Sequence, residues 1–97
     1  MNLKEQLYVY TLAQTGSLSK AAQLLFISQP ALSLYISNLE KQLGIQLFDR
    51  IGKQFTLTYA GELYVEQAKK MLAMKETFDS KISELIMTPR SFRALLS

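Results

Sequence analysis

A chain of 97 residues, 48% hydrophobic and 20% charged, with four Gly and two Pro, has the size and composition of a single folded domain. It contains no Cys and no His, which removes the commonest metal ligands, any disulfide framework and every nucleophile–base pair that needs imidazole or thiolate. Neither an enzyme nor a metal or other cofactor is therefore expected. Eleven Lys and Arg face eight Asp and Glu, and the excess is uneven. Residues 1–60 carry the bases Lys4, Lys20, Lys41, Arg50 and Lys53 against the acids Glu5, Glu40 and Asp49, whereas residues 61–88 are slightly acidic. An anion-binding surface is expected in the first two thirds of the chain. The longest apolar run, Leu24–Ile27, is too short to span a membrane, and the opening MNLKEQ has no signal-peptide stretch, so a cytoplasmic location without a membrane partner is expected.

Helical periodicity dominates the chain. The first helix is expected from Leu3 to Gln14, with Leu3, Leu7, Tyr10 and Gln14 on one face, widened by Val9, Leu12 and Ala13, and with Gly16 ending it. Ser17 or Ser19 can cap a short second helix, roughly Ser19 to Leu25, in which Ala21 and Ala22 permit close helix approach. A third helix starts with Ser28 as its N-cap and Pro30 in its first turn, where the missing N–H does no harm, and runs to Leu43 before Gly44. Leu32, Ile36, Leu39 and Leu43 form its buried stripe. The opposite face carries Pro30, Ser33, Leu34, Ser37 and Lys41, with Asn38 on the flank and Gln29 at the N-terminal end. Two helices joined by a tight turn, the second buried on one face and polar on the other, describe a helix-turn-helix.

From Ile45 to Thr58 the rhythm changes to alternation: Ile45 and Leu47, then Phe55 and Leu57, flank Arg50-Ile51-Gly52-Lys53, which reads as a hairpin with a basic tip. Thr58 caps a long fourth helix, with Glu62 in its first turn, that runs to Met87 and is stopped by Thr88-Pro89. Along it Tyr64, Ala68, Met71, Lys75, Phe78, Ile82 and Leu85 recur at alternating steps of four and three, with Leu63, Leu72 and Ile86 alongside. That spacing is a coiled-coil seam. A rod of ~40 Å is longer than a body of about 60 residues can cover, so a second chain is expected on it; the other reading is an amphipathic helix folded back onto its own domain.

A helix that reads DNA needs hydrogen-bonding or methyl-contacting side chains near its N-terminus, and Gln29, Pro30, Ser33 and Leu34 have that position. An ordinary capped surface helix would carry similar residues. The order of motifs is more specific. Gly16-Ser17-Leu18-Ser19-Lys20-Ala21-Ala22, Leu25, Ile27-Ser28-Gln29-Pro30-Ala31-Leu32-Ser33, Ile36, Leu39-Glu40, Leu43-Gly44, Leu47-Phe48-Asp49-Arg50, Leu57-Thr58 and Ala60-Gly61 together resemble the N-terminal domain of the LysR-type transcriptional regulators, over residues 1 to about 88.

The resemblance implies a mainly α fold: a winged helix-turn-helix (three-helix core plus two-stranded β-wing) over 1–58, then a long linker/dimerisation helix over 59–88 that pairs antiparallel with its twin. Residues 89–97, including Ser91–Leu96, would be the hinge towards, or the first strand of, a C-terminal effector-binding domain, the only part through which a small-molecule effector would act. Function would be sequence-specific binding of double-stranded DNA at an inverted-repeat operator by a homodimer, with a tetramer open for the full-length protein. By resemblance Gln29, Pro30 and Ser33 contact the groove, Arg50 and Lys53 form wing contacts, and Ser17, Ser19 and Lys20 touch phosphates; Ser28, Leu34 and Ser37 complete the expected DNA-binding set, and Tyr64, Ala68, Met71, Phe78, Ile82 and Leu85 the dimerisation set. The sequence departs from the family pattern at Leu34, where Arg is frequent, and has no base on the third helix before Lys41. Leu34 is expected to pack on a thymine methyl, or else to be an exposed leucine without a role; Tyr35, where Gln is frequent, is expected to pack, with a phosphate bond from its hydroxyl as the second option. The alternative from another class is a helical oligomerisation or protein-interaction module that uses the heptad seam alone and binds no specific DNA.

Overall fold

The computed structural model describes residues 2–87; the expected stop at Thr88-Pro89 and the hinge over 89–97 lie outside them. Four helices and one hairpin follow the expected order: α1 Lys4–Thr15, α2 Leu18–Leu25, α3 Gln29–Leu43, β1 Phe48–Ile51, β2 Gln54–Leu57 and α4 Tyr59–Met87. Gly16 ends α1 in the left-handed region (φ 64°), its N–H bonded to the Leu12 carbonyl. Its own carbonyl accepts from the Phe55 N–H at 2.9 Å, and Ser17 forms a bridge with Gln54. The end of α1 is thereby stitched to the hairpin.

The core lies where α1, α2 and α3 meet the hairpin and the start of α4. Val9 and Leu12 of α1, Ala21 and Ala22 of α2, and Leu32, Ile36 and Leu39 of α3 pack with Leu47, Phe48, Phe55 and Val65. The two alanines let α1 and α3 come close to α2, as expected. On α1 the buried line is Val9–Leu12, whereas Leu7 and Gln14 of the expected face are exposed. The reason is that α1 is covered from two directions: α2 and α3 bury Val9 and Leu12, while the Leu3–Leu7–Tyr10 side borders an open groove against α4. On α3 the buried stripe stops at Leu39; Leu43 is exposed, at the edge of an open pocket that it lines with Leu47, Ala60 and Tyr64.

The hairpin is shorter than expected. Strand pairing runs Phe48↔Leu57 to Ile51↔Gln54, so Ile45–Leu47 is connection, not strand, and Arg50 sits within β1, leaving Gly52-Lys53 as the turn. A glycine with positive φ (62°) at the first central position suits the two-residue turns that match strand twist. Thr58 caps α4 as expected, its Oγ1 accepting from the Gly61 N–H at 3.0 Å and donating to the Gln46 carbonyl at 2.7 Å.

The 29 residues of α4 make a rod of about 44 Å. Only its first turns lie on the body, through Gly61, Val65 and Ala68; the rest projects. The molecule measures 59 × 25 × 20 Å with a radius of gyration of 17.5 Å, against about 12.5 Å for a compact chain of this length.

Candidate nucleic-acid interface

Two serine caps build the helix-turn-helix. Of the two serines open as cap of α2, Ser17 takes the role: its hydroxyl accepts from the Lys20 N–H at 3.2 Å, and Ser19 Oγ lies 3.3 Å from Ser17 Oγ. Ser28 caps α3 by accepting from the Ala31 N–H at 3.2 Å. Between the helices Phe26 takes the left-handed conformation (φ 57°), its N–H bonded to the Gln23 carbonyl at 3.2 Å, while Ile27 N–H bonds Ala22 at 3.0 Å. This closes the turn in three residues and fixes the angle at which α3 leaves α2.

The outward face of α3 starts with Gln29, Pro30, Ala31 and Leu34, all exposed, with Ser33 and Ser37 partly buried beside them. Leu34 is 62% exposed. Ser19, Lys20 and Ser28 are exposed near the helix starts, Ser17 is partly buried under its own cap bond, and Lys53 is exposed at the hairpin turn.

Glu40, which the sequence reading did not single out for a role, organises the wing. Its Oε2 accepts from the Leu47 N–H at 2.7 Å and the Phe48 N–H at 3.2 Å, tying the last turn of α3 to the start of β1. Its Oε1 stands 3.8 Å from Arg50 Nη2, and the Arg50 guanidinium lies 5.0 Å from the centre of the Phe55 ring. Arg50 is thus steered by Glu40 and Phe55, with a side chain still 45% exposed. The sequence did carry a signal: an acid in the last turn of a helix opposes the helix dipole and calls for a partner.

A second group joins α1, α3 and α4. The Tyr8 and Tyr35 rings are 4.8 Å apart, with Lys4 Nζ 5.4 Å from each, and Tyr64 Oη donates to the Glu5 carboxylate. Burial, then the bond to Glu5, pushes the Tyr64 phenol well above its ordinary range; burial, then the Glu5 charge, raises Tyr35 as well. Tyr35 packs, which was the first of its two expected roles.

A family model described as "Bacterial regulatory helix-turn-helix protein, lysR family" matches residues 3–62, more than half of the chain. The chain belongs to the lysR family. Among curated relatives, the "Probable RuBisCO transcriptional regulator" of Chlorokybus atmophyticus is 44% identical over 72 residues, covering 74% of this chain and 23% of that protein. Its counterpart in Synechocystis is 42% identical over 74 residues, covering 76% of this chain and 21% of that protein. This chain therefore spans less than a quarter of the length of these relatives. Among solved structures, a BenM_DBD/catB site 1 DNA complex superposes with a TM-score of 0.83 at 33% identity, covering 91% of this chain and 98% of that one. The fold is the winged helix-turn-helix of such DNA-binding domains, with α2 and α3 as the helix-turn-helix and β1–β2 as the wing.

In this lysR-family chain the heptad seam divides into two parts. Ala68 is only 1% exposed and Tyr64 is bonded to Glu5 of α1, so the body itself occupies these two expected dimer positions. These first turns of α4 pack on the chain's own body, through Gly61, Val65 and Ala68. Met71, Phe78, Ile82 and Leu85 remain exposed on the projecting part. Alongside runs a groove of about 950 Å³ bordered by Leu3, Leu7, Tyr10 and Leu72. Among the described residues, no helix is long and apolar enough to cross a membrane.

Proposed function

We propose that this lysR-family chain binds double-stranded DNA sequence-specifically, in the cytoplasm, as a homodimer on an inverted repeat. The observation that carries the reading is the exposed start of α3: a face free of charge, with hydrogen-bonding Gln29 and Ser33 at its N-terminal end, on a helix locked at both ends by Ser28 and Glu40. Such a face suits base edges in the major groove, where a glutamine pairs with adenine and a serine donates or accepts. Pro30, Leu34 and Ser37 extend it. Ser17, Ser19, Lys20 and Ser28 at the helix starts, with Lys53 and the exposed side of Arg50 on the wing, supply contacts to phosphates, which set position and affinity while the bases set specificity.

The exposed seam on α4 supports pairing with a second copy: a helix with Met71, Phe78, Ile82 and Leu85 bare to solvent is incomplete alone. Pairing fixes the distance between two α3 helices and hence the half-site spacing.

Selection of bound duplexes from a random DNA pool at ~150 mM salt tests the reading. A two-fold symmetric consensus supports it, and Lys53→Ala, which removes one phosphate contact from each of two subunits, then lowers the log–log salt slope by about 1.8. Failure to bind DNA at any salt, with self-association intact, would instead support the oligomerisation module that the bare seam also fits.

A further inference from the structure

The uncharged stretch of α3 contains an apolar patch that the folded chain leaves bare. Pro30, Ala31 and Leu34 are all exposed, and spacings of three and four residues place Leu34 next to both on one helix face. Leu34 takes no part in the core that α3 builds from Leu32, Ile36 and Leu39. Nor does it border the groove beside α4. Its polar neighbours are Gln29 and Ser33, which carry donors and acceptors of the kind that base edges offer. The single acid of α3, Glu40, is turned to the wing and bonded there, so no negative charge on this helix stands free to repel DNA. Its single base is Lys41, in the last turn. Resting on the DNA-binding reading above, we propose that Leu34, with Ala31 beside it, contacts the C5-methyl group of a pyrimidine in the major groove and is a specificity-determining residue. An apolar side chain and this methyl are the one complementary pair available there that needs no hydrogen bond, and only thymine presents the methyl among the four unmodified bases.

The same methyl occurs on 5-methylcytosine, and the test separates the two sources. With the consensus selected by the 97-residue chain, each thymine of a half-site is replaced in turn by uracil, which removes only the methyl. Each cytosine is replaced by 5-methylcytosine, which adds it. Binding is compared for the unaltered chain, Leu34→Ala and Leu34→Met. The expected result is one thymine at which uracil weakens the unaltered chain about fourfold, the worth of one buried methyl-sized group. The thymine-to-uracil ratio falls to about one in Leu34→Ala and persists in Leu34→Met, which keeps an apolar tip. A fourfold gain confined to a methylated cytosine, with the same dependence on Leu34, would assign the contact to that base instead. The proposal is overturned if no methyl matters, or if one matters equally with and without Leu34. Recovery of no consensus at all would sink the DNA-binding reading itself, and is distinguishable from either result.

Discussion

Gly61 is where α4 touches the connection between α3 and β1 backbone to backbone. A Cβ built on it would lie 2.0 Å from the Leu47 carbonyl oxygen and 2.9 Å from Leu57 Cδ2. The leucine methyl can turn away; the carbonyl cannot, because it also accepts from the Thr58 N–H at 3.0 Å as α4 begins. Relieving Gly61→Ala to even 3.0 Å requires α4 to retreat by about 1 Å, which breaks that bond. The repacking costs about 1–3 kcal/mol and the lost hydrogen bond about 1 kcal/mol, while alanine returns about 1 kcal/mol of helix propensity. The net is a destabilisation of about 2 kcal/mol, or a melting temperature about 10 °C lower for a domain of this size. Far-UV circular dichroism during heating and in urea measures it. Gly44→Ala is the comparison: with nothing within 4 Å and only its positive φ (73°) to strain, it costs about 1 kcal/mol. If Gly61→Ala melts with or above the unaltered chain, the close seating of α4 on that connection is wrong.

Glu40→Ala leaves two partly buried N–H groups without their acceptor and is expected to cost about 3 kcal/mol in urea unfolding, whereas Arg50→Ala, losing a half-exposed pair at 3.8 Å, costs under about 1 kcal/mol. Because folding raises the Tyr64 and Tyr35 phenols above the ordinary value of 10.0, their contribution is fully present below pH 10 and is lost as pH rises through their folded values. Unfolding measured from pH 8 upward should therefore show an alkaline decline that is shallower in Tyr64→Phe. Ile82→Asp puts a charge in the middle of the bare seam and should shift sedimentation from dimer to monomer without lowering the helix content of residues 1–58.

Much of this architecture could be read from periodicity and punctuation. Ser28, Pro30 and Gly44 bracket α3 because capping, a fixed φ and a left-handed terminus are local properties, and local properties are written in neighbouring residues. What escaped depended on distant partners. The expected face of α1 included Val9 and Leu12, but that these two are buried while Leu7 and Gln14 are exposed depends on where α2, α3 and α4 come to lie, which no single helix specifies. Leu47 lies in the connection before β1, its N–H bonded to the Glu40 carboxylate seven residues upstream, a partner that alternation alone does not reveal. The requirement for glycine at 61 comes from a carbonyl 14 positions away in the chain, at Leu47. Of the candidate site, the Ser28 cap and the exposure of Gln29, Pro30 and Leu34 were readable from their place on α3. The heptad count, however, could not tell that Ala68 and Tyr64 are taken by the chain's own body while Phe78 and Ile82 stay free.

The central claim is that the start of α3 distinguishes one DNA sequence from another. Equilibrium binding at ~150 mM salt to the selected duplex and to a scrambled duplex, by the unaltered chain and by a Gln29→Ala/Ser33→Ala double variant, tests it most directly. The account predicts at least about 10³-fold preference for the selected duplex, with most of that preference lost in the double variant while binding to the scrambled duplex is little changed. Equal affinity for both duplexes, or a preference that survives the double substitution, would contradict it.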